Sequence, residues 1–414
     1  MLKSFKDIYS HYPRNFWMLA GTMFIDRIGT AFVFPFLALF ITNKFNVGMA
    51  QAGEILAIYF GGAIIGNMVG GAFADKFGRR MVLIVGLVLS AASSLAMGLV
   101  NQWDIFTQVV FAAGMCSELG NPAVQAMVAD ILPLEKRVDG LGILRVVLNL
   151  AVTIGPAVGG ILAGTNYLLL FIGDVIISFT TAVIVYFALP ETKPALKEGQ
   201  MEESIVQSLG GYQRVFKDKL FMAIIFLSVL TGIVYMQLNS TLSVYLRDVH
   251  QVPARQYGYL LSINAAMVVL FQFFVTRRVK RFHPLIVLMA GNLFFALGFG
   301  SFGFNQQVWQ FIISIIVITG GRMLYGPVVQ ALIATIAPQD LRARYMATFH
   351  TVWVLASGIA PLTAGVILDK YDPNWIWYAC GIISIIVALG YFILDQRVSG
   401  QIDSLCEIKN TNMA

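Results

Sequence analysis

The sequence predicts an all-α polytopic membrane protein, with twelve transmembrane helices in two six-helix pseudo-symmetric halves. Three observations carry that prediction. The 414-residue chain is 58% hydrophobic and only 12% charged, where soluble domains carry roughly 25% charge, and its mean hydropathy is +0.76. Its charges gather in short clusters between apolar runs of about 20 residues, each long enough to cross ~30 Å of hydrocarbon as a helix. Displaced by 205 residues without gaps, the chain also matches itself in several places.

The apolar runs lie at about 16–41, 49–72, 81–100, 104–131, 139–164, 167–189, 219–246, 256–276, 284–303, 307–335, 343–368 and 375–395. The start of the chain has no small-residue cleavage site, and the first run is too long for a signal-peptide core, so it reads as a retained span. Most connections are short. The exception, about 190–218, is polar and charged, and it divides a first half, 1–189, from a second, 219–414, that ends in a short tail.

Lysine and arginine orient the spans. The N-terminus, alternate loops and C-terminus hold 21 of the 28 basic residues, whereas the opposite loops hold only Lys44, Arg247, Arg255 and Lys370. Both termini and the middle loop are therefore expected in the cytoplasm, and the location expected is the plasma membrane. A net charge of +6 and a pI near 9.1 do not point to nucleic acid, because the basic residues flank spans. Cys116 and Cys380 lie in apolar runs and Cys406 in the tail; with no CxxC, neither a disulfide framework nor a metal site is expected.

The internal match sets "NPAVQA" from Asn121 on "GPVVQA" from Gly326, Pro133 on Pro338, Pro156 on Pro361 and Gly160 on Gly365. Prolines and glycines recur at the same depths, which points to a parallel repeat. Transporters commonly bind substrate at such a repeat interface, near the midplane.

The stretch "GGAFADKFGRRM", residues 70–81, interrupts this apolar background between spans two and three. Its basic residues serve orientation, but the spacing Gly71-x-x-x-Asp75-x-x-Gly78-Arg79-Arg80 is specific. It resembles the loop 2–3 signature of the major facilitator superfamily. The resemblance implies the major facilitator fold and a cytoplasmic latch. In it Gly71 admits a neighbouring helix, Asp75 faces a helix N-terminus in the other half, and Arg79 reaches Asp130 at the end of span four. The second half-copy has Lys280 where Asp75 maps, so the latch is expected to be asymmetric.

In span five, Gly155-Pro156-x-x-Gly159-Gly160 resembles the family's antiporter motif: proline bends the helix and glycines permit close contact. "LPETKP" after span six also resembles the family's drug exporters. One departure stands in span four, where Val110 occupies the position of the family's usual arginine, four residues before Gly114.

Ionisable residues inside spans are costly and mark function. Asp26 and Arg27 lie about 15 Å into span one at 1.5 Å per residue. Glu118 lies near the middle of span four and Arg322 near the middle of span ten. The resemblance implies that spans one, four, seven and ten line one cavity. Asp26 and Glu118 are the expected proton carriers and Arg27 and Arg322 their charge partners, with one arginine pairing Glu118 in one state. Low dielectric favours the neutral form of a carboxylic acid, so such a pair switches with protons and needs no cofactor beyond the proton gradient. Each can instead be a permanent ion pair that fixes packing. Arg145 reads as structural, and Asp174 stays open. Weaker cavity candidates are Phe34, Met115, Tyr235, Gln237, Asn239, Tyr325 and His350, with interhelical bonding or packing as the alternative for each.

"GFGSFG" at 298–303 lacks the strand–helix setting of a dinucleotide site, and no Walker A motif is present. No HExxH or GxSxG stands in a span, so an enzyme is not expected. The expectation is a proton-coupled antiporter that exports amphipathic, drug-like molecules as a monomer. Its partners would be a lipophilic substrate, protons and membrane lipid. Alternatives on the same fold are a lipid or lysolipid mover and a proton-coupled symporter of a small organic anion; outside it, a non-transporting membrane sensor or enzyme.

Overall fold

A computed structural model describes residues 11–193, 214–279, 281–338 and 341–411. Most of the expected linker, residues 194–213, lies outside the described residues, as does Lys280. Nothing is described of the Arg145 side chain.

Among the described residues there are fifteen α-helices and no strand. The first eight are α1 (Arg14–Val33), α2 (Leu37–Phe45), α3 (Met49–Phe77), α4 (Arg79–Leu99), α5 (Trp103–Leu119), α6 (Asn121–Ile131), α7 (Leu134–Thr165) and α8 (Leu168–Ala188). The rest are α9 (Lys219–Met236), α10 (Thr241–His250), α11 (Ala254–Val279), α12 (Pro284–Phe302), α13 (Val308–Ile336), α14 (Arg342–Lys370) and α15 (Trp375–Thr411). Among the described residues eleven segments are long and apolar enough to cross a membrane, α1 with α2 and α9 with α10 each counting as one. Span four is divided into α5 and α6, each too short by itself. The expected tail is a continuation of α15, whose backbone stays helical to Thr411.

Three spans are interrupted for identifiable reasons. In span one Pro35 has no N–H to give, and Phe34–Phe36 tighten into a 3-10 turn. In span four Pro122 removes the donor that an α-helix would direct at the Glu118 carbonyl, and the chain turns at Gly120. In span seven the break covers residues 237–240. The 205-residue displacement carries 34–36 onto 239–241, so spans one and seven break at equivalent depths. Span ten keeps Pro327 inside one continuous helix, so the break in span four has no counterpart.

The chain forms two compact units, Met1–Lys197 with Gln251–Ala265 and Glu198–His250 with Ala266–Ala414. The start of α11 thus groups with the first unit, unlike the division at 190–218 that the linker suggests. In the first unit α1 packs on α7 and α8, α4 on α8, and α3 on α5. The α3–α5 approach is set by Gly62, Gly66 and Gly70: a Cβ on any of them would overlap the Phe111, Met115 or Leu119 carbonyl. Gly114 answers from α5 against the Tyr59 carbonyl. Small residues let membrane helices meet backbone to backbone. At one end of this unit Phe16, Leu83, Met127, Val128 and Val185 form a buried cluster that supports the 70–81 stretch. In the second unit α12 packs on α13 and α15, and α9 on α14, around a core that includes Tyr245, Phe302, Phe311 and Trp377.

Candidate functional site

The first unit carries a group of ionisable side chains within its membrane-spanning segments. Asp26 and Arg27 are half-buried on α1. The Asp26 carboxylate faces the Ser178 hydroxyl on α8 and lies in the field of Arg27 and Glu118. Asp174, 7% exposed, faces Ser94 on α4 and lies in the field of Asp26. Its Oδ1 sits directly over Gly29, where a Cβ would lie 2.6 Å away. Tyr59 on α3 bonds to Ser117 and lies in the field of Glu118, Asp174 and Arg27.

This arrangement changes two expectations. Glu118 is held by Asn121, whose Nδ2 donates to Oε2 at 2.8 Å. No ion pair joins Arg27 to Glu118 among the described residues. The sequence expected Arg27 or Arg322 to pair with Glu118 in one state; here Glu118 is held by a contact across the Gly120 break, three residues along the chain. Asp174, left open by the sequence, belongs to the group. Ser94, Ser117, Ser178 and Tyr59 were not singled out in the sequence; the available signal was the hydroxyl-rich "SAASS" at 90–94 inside an apolar helix.

At the end of the unit that holds residues 70–81, four segments interlock. Arg79 Nε lies 3.2 Å from Asp130 Oδ2 as an ion pair without hydrogen-bond alignment. Arg79 Nη2 lies 3.4 Å from Asp75, whose side chain is 72% exposed, and Nη1 donates to the Ala74 carbonyl at 3.3 Å. The Glu191 carboxylate of "LPETKP" caps the start of α4, accepting from the Arg79 N–H at 2.9 Å and the Arg80 N–H at 3.1 Å. It also accepts from the Thr192 and Lys193 N–H groups. Partial burial pushes the Glu191 pKa up. The backbone donations from Lys193, Arg79, Arg80 and Thr192 outweigh that and hold it below the usual glutamate value. Thr192 Oγ1 donates to Asp130 at 3.1 Å and Lys193 Nζ to the Lys76 carbonyl at 2.9 Å. Arg80 donates to the Tyr186 carbonyl and lies 5.2 Å from the centre of that residue's ring. Gly78 takes φ 101, a left-handed-side conformation, and a Cβ there would lie 2.5 Å from Glu191 Oε2. Gly71 leaves ordinary contact distance to Pro122. The sequence marked Asp130 as the partner of Arg79; Glu191 it did not mark.

In α7, Pro156 stands inside the helix. Gly155 lies against Ala31, and Gly159 against Phe32 and Phe36 at the break in span one. A Cβ on Gly160 would lie 2.9 Å from Gly258 Cα, within the same unit.

The weaker cavity candidates divide. Phe34 stacks edge-on to Phe60 at 5.6 Å in the first unit, and Met115 is partly buried against Gly66. In the second unit Arg322 lies 4.8 Å from the centre of the Tyr235 ring and donates to its hydroxyl. Tyr325 does not form a wall. It is 2% exposed and donates to Ser228 at 2.9 Å, because a buried phenol requires a partner. Gln237 likewise bonds between helices, to the Ala360 carbonyl at 3.0 Å and from Thr241 at 2.6 Å. Asn239 is partly buried in the break of span seven, and His350 is exposed on α14.

A family model described as Major Facilitator Superfamily matches residues 19–263 and 246–409. The Na(+), Li(+), K(+)/H(+) antiporter of Planococcus maritimus is 28% identical over 374 residues, 83% of this chain and 87% of the relative. The quinolone resistance protein NorA of Staphylococcus aureus is 19% identical, over 89% of this chain and 94% of the relative. Among solved structures, the nucleoside transporter NupG matches with a TM-score of 0.78 at 14% identity, covering 92% of this chain and 99% of that one. These relatives are transporters, not enzymes.

Proposed function

The chain belongs to the major facilitator superfamily, and from that premise we propose that it is a proton-coupled antiporter of the plasma membrane that exports small amphipathic molecules by alternating access. The observation that carries this reading is the group Asp26, Arg27, Glu118 and Asp174 within one unit. Asp26 lies in the field of Arg27 and Glu118, and Asp174 in that of Asp26, so a change of charge on one carboxylate is felt by the next within the membrane interior. In this reading Asp26 and Glu118 carry the proton, with Arg27 beside Asp26 as its charge partner. The interlock around Arg79, Asp130 and Glu191 ties together α4, α6 and the end of α8, at the end of the unit that this reading assigns to the cytoplasm together with both chain termini. The drug-resistance relative supports the substrate class.

A second reading is exchange of a monovalent cation for protons, favoured by the 28% identical antiporter and by the excess of carboxylates. Proteoliposomes with an imposed pH gradient test both readings, using cationic dyes for the first and sodium for the second. If neither a dye nor sodium moves against protons, proton-coupled antiport is wrong. Movement of sodium alone selects the second reading.

A further inference from the structure

We propose that the first unit contains a binding site for one monovalent hard cation, of the sodium and lithium class, in a chamber between Asp174, Ser94 and the break in span one. As a transported ion this cation rests on the second reading above; as a bound ion it rests on the chamber alone.

The chamber offers about 30 Å³ of water-accessible space, more than the roughly 10–15 Å³ that one water needs. That is room for one ion. Its wall sets Asp174, Ser90, Ser93, Ser94, Ser117 and Thr30 beside apolar Phe34, Leu37, Met97 and Ala113. Ser94, 3% exposed, faces the Asp174 carboxylate, yet its Oγ closes no hydrogen bond of ordinary geometry. A buried hydroxyl left open in this way normally has a partner. Ser93 and Ser117 donate their protons to their own helices, to the Ser90 carbonyl at 3.0 Å and the Gly114 carbonyl at 2.8 Å. Their oxygens therefore offer lone pairs only, and one of those on Ser117 is taken by Tyr59. Val33 also lines the chamber.

Charge balance points the same way. Asp174 shares its surroundings with Asp26 and Arg27 from α1, Tyr59 from α3 and Glu118 from α5; α4 contributes only hydroxyls. Asp174 is the one carboxylate in the wall of the chamber, and a buried carboxylate is stabilised when a proton or a cation balances it. A divalent ion does not fit: it prefers several carboxylates, and among the described residues no three acidic, His or Cys side chains converge as metal ligands. One carboxylate with neutral oxygens matches a single positive charge.

The test is equilibrium binding of radioactive sodium to the purified full-length protein in detergent, with choline replacing sodium in the controls. Saturable binding is expected, weakened as pH falls because protons compete for the same carboxylate. Asp174→Asn and Gly29→Ala, the latter displacing the carboxylate, should each weaken binding by about tenfold or more. Ser94→Ala should weaken it several-fold, and Ser94→Thr, which keeps the oxygen, should retain it. Monodispersity and thermal melting identify variants that fail to fold; should Asp174→Asn be one, the Ser94 pair decides. No saturable binding by the wild type, or wild-type binding by folded Asp174→Asn or Ser94→Ala, overturns the site. Sodium–proton exchange that survives in Asp174→Asn with binding intact refutes the site and keeps the second reading. Binding lost in Asp174→Asn, with no exchange by the wild type, keeps the site and refutes that reading.

Discussion

Glu191 Oε1 accepts a hydrogen bond from the Arg79 backbone N–H at 2.9 Å, across 112 residues of chain. The carboxylate thereby caps the helix that begins span three, where unpaired N–H groups and the helix dipole favour an anion. It joins the end of span six to the loop between spans two and three.

Removing that cap should be measurable. Glu191→Ala is expected to lower the stability of the first unit by about 1 kcal/mol, the usual cost of losing an N-cap, read as a lower melting temperature in detergent. The glutamate pKa is held below its ordinary value of 4.5. Its stabilisation is therefore present above that ordinary value and is lost as pH falls through the lower folded-state value. Wild type and Glu191→Gln should differ most near neutral pH and converge at strongly acid pH. Parallel melting curves across that range would contradict this.

Gly78→Ala places a Cβ 2.5 Å from Glu191 Oε2 at a backbone φ of 101°. The strain of such a conformation is on the order of 1–3 kcal/mol, so both stability and transport should fall. Combined with Glu191→Ala the loss should be smaller than the sum, because the steric part of the Gly78 penalty needs the carboxylate in place. A double-mutant melting series checks the coupling.

Arg79→Lys keeps the charge but loses the planar fork that reaches Asp130, Asp75 and the Ala74 carbonyl together. Transport in proteoliposomes should fall by roughly tenfold, equivalent to ~1.4 kcal/mol, with expression unchanged. Asp130→Asn should reduce the rate in the same way and add little to Arg79→Lys. Full additivity would mean that the two residues act separately.

Asp26→Asn and Glu118→Gln remove the carboxylates expected to carry protons. Uphill transport driven by a pH gradient should be lost in at least one of them, while downhill exchange of labelled for unlabelled substrate persists. If both variants retain uphill transport, these groups do not couple protons.

Gly66→Leu sets a large side chain where the Met115 carbonyl lies against the helix. The α3–α5 contact then has to open, and overpacking of this kind costs at least about 1–3 kcal/mol. Poor recovery of monodisperse protein is the expected result, whereas Gly71→Ala, with only ordinary contact to Pro122, should be tolerated.

The sequence by itself determined the membrane class, the positions of the spans and the two-fold repeat. These depend on local hydropathy and on prolines and glycines that act at their own positions. It also marked Asp26, Glu118, Arg79 and Asp130, because a charge within or beside an apolar run is conspicuous in one dimension. Tertiary structure alone decided which of these groups meet. Asp174 joins Asp26 because Gly29 leaves room above α1, a fact of packing between spans one and six. Glu191 reaches Arg79 because α4 and α8 lie side by side. Tyr325 and Gln237 turned inward to bond because buried polar groups need partners, and hydropathy along the chain does not record which face of a helix is covered. The break at Gly120 was visible only as Pro122 after Gly120. The folded chain shows that it sets Glu118 against Asn121 at the point where the helix loses its ladder.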